Sequence, residues 1–80
     1  MRIDIYTDTN KIFGNRYFLY NPETNACTVF NTDKDDFGYI YYILTSISYT
    51  YFEPNVDGNY LTTLTINSPD DFNNYPELFI

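Results

Sequence analysis

The sequence predicts an α+β domain in which an antiparallel sheet of about five strands carries one central helix and a short C-terminal helix. Two observations carry this prediction. Short runs rich in isoleucine, tyrosine and threonine have the alternation or β-branched content of strands. Two other segments have the apolar spacing or the capping residues of helices. At 80 residues the chain is expected to form a single domain over residues 1–80.

The N-terminal part of the chain predicts three strands. In "RIDIY" (2–6), apolar Ile3 and Ile5 alternate with other side chains, which is typical of a half-buried strand. The runs "RYFLY" (16–20) and "ACTVF" (26–30) are aromatic and β-branched, and the "NPETN" between them contains turn-forming residues. Two strands joined by so short a polar link predict an antiparallel hairpin.

A helix is predicted in the middle of the chain. Thr32 or Asp33 is expected to cap it, with acidic residues in its first turn. Apolar residues then recur at spacings of three and four, as on one face of a helix: Phe37, Ile40, Ile43, Leu44 and Ile47. Tyr39 and Tyr42 are expected on the flank and far side of this helix. Gly38 and the tyrosines lower helix propensity, so a buried strand over 37–47 stays open as an alternative.

The C-terminal part predicts a second hairpin and a short helix. The runs "SISYTYFE" (46–53) and "NYLTTLTIN" (59–67) are rich in strand-forming residues, and "PNVDG" between them is a turn signal. In "SPDDF", Ser68 is expected to cap a helix, and Asp70 and Asp71 occupy its first turn. Pro76 is expected to end this helix.

The segment "DKDDFGYIYYIL" (33–44) begins like a calcium-binding EF-hand loop. An EF-hand needs an oxygen ligand at the fifth position and a bidentate glutamate at the twelfth. Phe37 and Leu44 occupy those positions, which leaves Asp33 and Asp35 as the main ligands. We therefore expect no calcium site and no metal site of any other kind.

The residues that most catalytic sites require are missing from the sequence. There is no histidine, the single cysteine Cys27 has no activating partner, and the three glycines are isolated from one another. We expect no enzymatic activity and no cofactor. With one cysteine, no signal-peptide pattern and no apolar run of roughly 20 residues, the expected location is the cytoplasm.

Charge favours a protein partner. Eleven acidic residues against four basic ones give a net charge of −7, which disfavours direct binding to nucleic acid or to an anionic membrane and favours a basic protein. Acidic residues cluster at both predicted helix starts, and exposed tyrosines are typical of interfaces. The predicted partner-binding residues are Asp33, Asp35, Asp36, Tyr39, Tyr42, Asp70 and Asp71.

In size, acidity and richness in tyrosine, asparagine and aspartate, the whole chain resembles the small anti-defence proteins of phages, notably anti-CRISPR proteins. The resemblance implies an inhibitor that occupies the nucleic-acid-binding surface of a Cas effector in the cytoplasm of a host cell. Two alternatives stay open. One is an immunity protein or antitoxin that neutralises a nuclease toxin. The other is a structural or assembly subunit that docks through its tyrosine-rich strands and its "ELFI" tail.

Overall fold

The computed structural model describes residues 1–14, 16–30, 36–46 and 53–79. They form an α+β fold in which a four-stranded antiparallel sheet is combined with three helices, one of them longer than the others. The strands lie in the order β3-β2-β1-β4. The elements in chain order are β1 (Arg2–Asp8), β2 (Tyr17–Asn21), β3 (Ala26–Phe30), α1 (Phe37–Thr45), α2 (Pro54–Asp57), β4 (Gly58–Thr65) and a 3-10 helix (Pro69–Asn74).

The first strand and the first hairpin are confirmed. Strands β2 and β3 pair antiparallel, with Leu19 opposite Thr28, and the link between them closes through Asn25, whose N–H donates to the carbonyl of Asn21 at 2.8 Å. Asn25 has a φ of 62°, a left-handed conformation that asparagine adopts more readily than most residues. The turn chemistry in the sequence therefore has a direct structural counterpart.

The sheet has four strands in the described residues, where the sequence predicted about five. The first strand of the predicted second hairpin covers 46–53, and most of that range, 47–52, lies outside the described residues. The other strand of that hairpin is present as β4, which pairs antiparallel with β1 and sets Ile3 opposite Leu64. Strand β4 thus lies at one edge of the sheet and β3 at the other.

The predicted turn "PNVDG" forms one helical turn followed directly by a strand. Pro54 occupies the start of α2, and the Asp57 carboxylate accepts the backbone N–H of Glu53 at 2.9 Å. Gly58 is extended and begins β4. A Cβ atom there would lie 2.8 Å from the carbonyl oxygen of Thr7, so the close approach of β4 to β1 requires glycine.

The central segment is a helix, and the alternative of a buried strand is wrong for α1. The predicted cap is also wrong: the N-cap is Asp36, whose Oδ1 accepts the N–H of Gly38 at 2.8 Å. The first turn contains no acidic residue, because the helix begins only at Phe37, after the acidic run has ended. Thr32 and Asp33, the predicted caps, lie outside the described residues.

One face of the sheet and the helices enclose the main core. Ile40 and Leu44 of α1 are buried against apolar side chains of β1, β2 and β4, and Phe72 of the 3-10 helix closes one end. Phe79 makes edge contacts with Phe30, Phe37 and Phe72, with ring centroids 4.9–5.7 Å apart. Leu78 packs against the same cluster. That "ELFI" is a docking edge stays a prediction; in the structure Leu78 and Phe79 are partly buried and help to complete the core.

The other face of the sheet carries a row of tyrosines. Tyr20, Tyr6 and Tyr60 lie on β2, β1 and β4, with edge-on ring contacts of 6.5 and 5.9 Å between neighbours. Phe18 and the thiol of Cys27 are buried beside them. Cysteine outside disulfides is commonly buried, where it packs as a small apolar side chain.

Candidate functional site

Helix α1 presents a stripe of three side chains away from the core. Asp36, Tyr39 and Tyr42 are spaced by three residues, which places them along one side of the helix. Tyr39 is 64% exposed and Tyr42 is 68% exposed, the two highest values among the aromatic side chains of the described residues. We call these three residues the α1 stripe. Two exposed tyrosine rings close to a carboxylate can contact both the stem and the charge of a lysine or arginine.

A phenylalanine stack brings the start of the 3-10 helix next to the start of α1. The rings of Phe37 and Phe72 lie 5.2 Å apart at an interplanar angle of 20°. Asp36 directly precedes Phe37, and Asp70 lies two residues before Phe72. Both residues are exposed, and the two helices whose starts they mark are in contact with each other.

The predicted acidic residues differ in how available their carboxylates are to a binding partner. Asp71 is only partly exposed, and its Oδ2 accepts the backbone N–H groups of Asn67 at 2.7 Å and Ser68 at 3.1 Å. These bonds confirm the expected capping of the 3-10 helix at Ser68 and occupy the charge of Asp71 internally. Asp70 is exposed and forms no side-chain hydrogen bond with the described residues. Asp33 and Asp35 lie outside the described residues.

Two further acidic residues, which no sequence pattern links to each other, are buried in β1. The Asp8 carboxylate is on a residue only 8% exposed and accepts the N–H groups of Ile12 at 3.0 Å and Phe13 at 2.6 Å. It thereby fixes the loop between β1 and β2, in which Lys11 has a φ of 51°. An aspartate that opens the polar run "DTNK" is a recognisable signal for such a side-chain-to-backbone bond.

Asp4, the other buried acidic residue, lies in a small polar network. It forms an ion pair with Arg2 at 2.9 Å and accepts the hydroxyl of Thr63 at 2.9 Å. The hydrogen bond to Asp4, and then its charge, raise the pKa of Arg2. Burial, and then the Asp4 carboxylate, raise the pKa of the Tyr6 hydroxyl above its usual value. Asp4 therefore acts within the fold and contributes little free charge to the surface.

A cleft of about 300 Å³ lies beside Asp8 and is lined by Thr7, Asp8, Arg16 and Tyr17. Both oxygens of Asp8 already accept backbone amides, and the Arg16 side chain donates to the carbonyl of Phe13 at 2.8 Å. Within the described parts of the chain, no group of three or more acidic or cysteine side chains is arranged to hold a metal ion. That the chain is not an enzyme and takes no cofactor stays a prediction.

None of the helices in the described ranges has the length and apolar character needed to cross a membrane. The comparisons with known proteins give no assignment: no family model, no curated protein and no solved structure matches the chain. The candidate site therefore depends on the geometry of the chain alone.

Proposed function

We propose that this protein is an acidic inhibitor that binds a basic, nucleic-acid-handling enzyme and occupies its nucleic-acid-binding surface, most specifically in a Cas effector. The observation that carries the proposal is the α1 stripe, in which a carboxylate and two highly exposed tyrosines are aligned on the solvent side of a helix packed onto the core. Such an inhibitor works in the cytoplasm of the host cell.

The chemistry of the stripe suits a groove made for a phosphate backbone. Such grooves present lysine and arginine side chains, and electrostatic attraction dominates their affinity. Asp36 and Asp70 supply carboxylates in place of phosphates, while the rings of Tyr39 and Tyr42 can lie against guanidinium groups. The net charge of −7 increases the rate at which a basic partner is captured.

The firm packing of α1 on the core favours binding through the α1 stripe. Phe37 and Ile40 fix α1 to the core, and the Asp36 cap fixes its first turn. Tyrosine loses little conformational entropy on binding compared with longer side chains. A preorganised aromatic pair on a packed helix therefore needs little reordering when a partner arrives.

The test measures association with candidate enzymes and inhibition of their nucleic-acid binding. The immobilised protein is exposed to guide-loaded Cas effectors and to nuclease toxins, and the association and dissociation rates are recorded at low and high salt. We expect one Cas effector to bind and to lose its DNA binding. Association should slow as the salt concentration rises, because charge drives the encounter. Binding to a nuclease toxin alone would instead favour an immunity protein or antitoxin.

Two variants locate the surface. The double substitution Tyr39→Ala and Tyr42→Ala should weaken binding by about tenfold or more, mainly through faster dissociation, as for central interface aromatics. The double substitution Asp36→Asn and Asp70→Asn should slow association, and asparagine still caps α1. The matched control, Glu23→Gln with Glu53→Gln, removes the same charge from two exposed loop positions. If the control slowed association as much as the aspartate variant, or if the tyrosine variant bound normally, the surface proposed here would be wrong.

A further inference from the structure

The last turn of α1 is joined to the turn between β2 and β3 by side-chain hydrogen bonds. The carbonyl of Leu44 accepts the side-chain amide of Asn21 at 2.8 Å and the hydroxyl of Thr24 at 2.9 Å. Asn21, the last residue of β2, is only 1% exposed, and Leu44 is fully buried. Because the last four carbonyls of a helix have no donor within it, a buried carbonyl at this end needs donors from another element. The turn between β2 and β3 supplies them.

The neighbouring carbonyls of α1 are satisfied by groups close in sequence. The carbonyl of Tyr42 accepts the hydroxyls of Thr45 at 3.1 Å and Ser46 at 2.7 Å, and that of Ile43 accepts the N–H of Ser46 at 3.1 Å. Bonds over so few residues preserve the helical shape but do not fix where the helix points. In the described residues, the bonds at Leu44 tie this turn to the sheet.

Asn21 is itself held in place by the turn. Its Oδ1 accepts the backbone N–H of Glu23 at 2.9 Å, and its backbone carbonyl accepts that of Asn25 at 2.8 Å. An asparagine side chain offers an acceptor and a donor in one amide group. Asn21 uses the acceptor for the turn and the donor for α1, so one buried side chain connects the two elements.

The direction of α1 depends on such attachments because the helix is short. It has nine residues, and isolated helices of fewer than about 12–15 residues are marginal in water. At its start, Phe37 stacks on Phe72 at 5.2 Å, and in its middle the hydroxyl of Tyr41 donates to the carbonyl of Asn67 at 3.1 Å. The bonds at Leu44 are the corresponding attachment at its end.

Tyr42 of the α1 stripe belongs to the turn that Asn21 holds. It lies two residues before Leu44, whereas Tyr39 lies nearer the start of the helix. We propose that Asn21, with Thr24, is a positioning residue for the α1 stripe. By holding the carbonyl of Leu44, it fixes the direction in which the Tyr42 ring meets a partner. This inference rests on the proposed function.

A fixed direction of Tyr42 affects how long a complex lasts. The ring is 68% exposed, so its direction comes from the backbone of the last turn of α1. Groups that must be ordered at an interface cost affinity. Loosening this turn should therefore speed dissociation, while charge-driven association stays the same.

The test uses two variants that each remove a donor to Leu44 without changing the charge. Thr24→Val replaces the hydroxyl by a methyl group, and Asn21→Leu replaces the amide by an apolar group of similar size. The enzyme that binds the natural chain should dissociate from both variants about fivefold faster, with its association rate unchanged. If Asn21→Leu does not fold, Thr24→Val decides alone.

The matched control is Cys27→Ala, which changes a buried side chain on the face of the sheet opposite α1. It should dissociate like the natural chain. Each variant is also measured in a Tyr42→Ala background. There a residue that acts through Tyr42 has no further effect, whereas a merely structural residue changes the dissociation rate by the same factor as before. Equal factors in the two backgrounds, or a control that dissociates as fast as the variants, would overturn the proposal.

Amide hydrogen exchange tests the same contact without a partner. Both variants should speed exchange at the amides of Leu44 and Thr45 by about fivefold more than at Ile5 in β1, which reports global unfolding. Variants that speed all three amides equally would refute the proposal. If no candidate enzyme binds the natural chain, the proposed function fails, and the exchange rates alone decide whether Asn21 fixes the last turn of α1.

Discussion

The acidic residues of β1 and those at the helix starts have different roles, although all of them are aspartates. Asp4 and Asp8 in β1 are buried, and each holds neighbouring groups through short hydrogen bonds. Asp36 and Asp70 at the helix starts are exposed, and Asp36 makes a single capping bond. The net charge of −7 therefore overstates the charge available to a partner, because part of it is used to position the backbone.

Among substitutions that compare the buried with the exposed aspartates, the largest loss of stability is expected at Asp8. Asp8→Asn keeps the shape but places an amide N–H₂ against one of the two backbone N–H donors that the carboxylate now satisfies. We expect a loss of about 2 kcal/mol in the free energy of unfolding, since hydrogen bonds to charged groups contribute about 1.5–3 kcal/mol each. Equilibrium urea denaturation measures this loss.

The control for Asp8 is Glu23→Gln, which makes the same charge change at an exposed turn residue. It should change the free energy of unfolding by less than about 0.5 kcal/mol, as is usual for surface substitutions. Equal losses in the two variants would mean that Asp8 acts only through net charge, and the contrast between the two groups of acidic residues would disappear.

A smaller effect is expected at Asp36. Asp36→Ala removes the cap of α1 and should cost about 1 kcal/mol, whereas Asp36→Asn should cost much less because asparagine also caps helices. Thermal or urea unfolding of the two variants gives the comparison. A loss in Asp36→Asn as large as in Asp36→Ala would indicate that the charge, and not the capping bond, stabilises α1.

The smallest expected change in stability comes from the raised pKa of Tyr6, to which Asp4 contributes, and it is seen only at alkaline pH. Burial, together with Asp4, raises the pKa of Tyr6 above its usual value of 10.0, so the folded state holds the phenolic proton more tightly than the unfolded state. The stability from this difference is complete below about pH 10 and is lost as the pH rises through the pKa of the folded state.

Tyr6→Phe tests this pH dependence. The free energy of unfolding of the variant should fall less between neutral pH and pH values above 10 than that of the natural chain, because phenylalanine does not ionise. Urea unfolding at several alkaline pH values provides the measurement. Parallel curves for the two proteins would show that Tyr6 is not perturbed in the folded state.

Local patterns predicted the elements that depend on neighbours in sequence. The alternation in β1, the "NPETN" turn and the Ser68 start of the 3-10 helix all depend on contacts within a few residues, and all are present. The helical spacing that ends in Ile40 and Leu44 is also present. The exposure of Tyr39 and Tyr42 followed from the same spacing, since a helix with one buried stripe leaves its opposite side in solvent.

The predictions that failed involve partners distant in sequence. The N-cap of α1 is Asp36 and not Thr32 or Asp33, and the residue after it, Phe37, stacks on Phe72, which is distant in sequence. The packing of the tail was not predicted from the sequence: Phe79 makes edge contacts with Phe30, Phe37 and Phe72. A side chain's local sequence does not reveal a cavity built by other elements.

The sequence by itself determined the acidity, the fold class, the types of most elements and the absence of histidine, because these depend on composition and on periodicity over a few residues. Only the tertiary structure decided which carboxylates are buried and which are exposed. It also paired β4 with β1, which makes β4 the last strand of the sheet in the described residues. The physical reason is that burial and strand pairing are set by contacts between residues far apart in the chain, which periodicity along one segment does not encode.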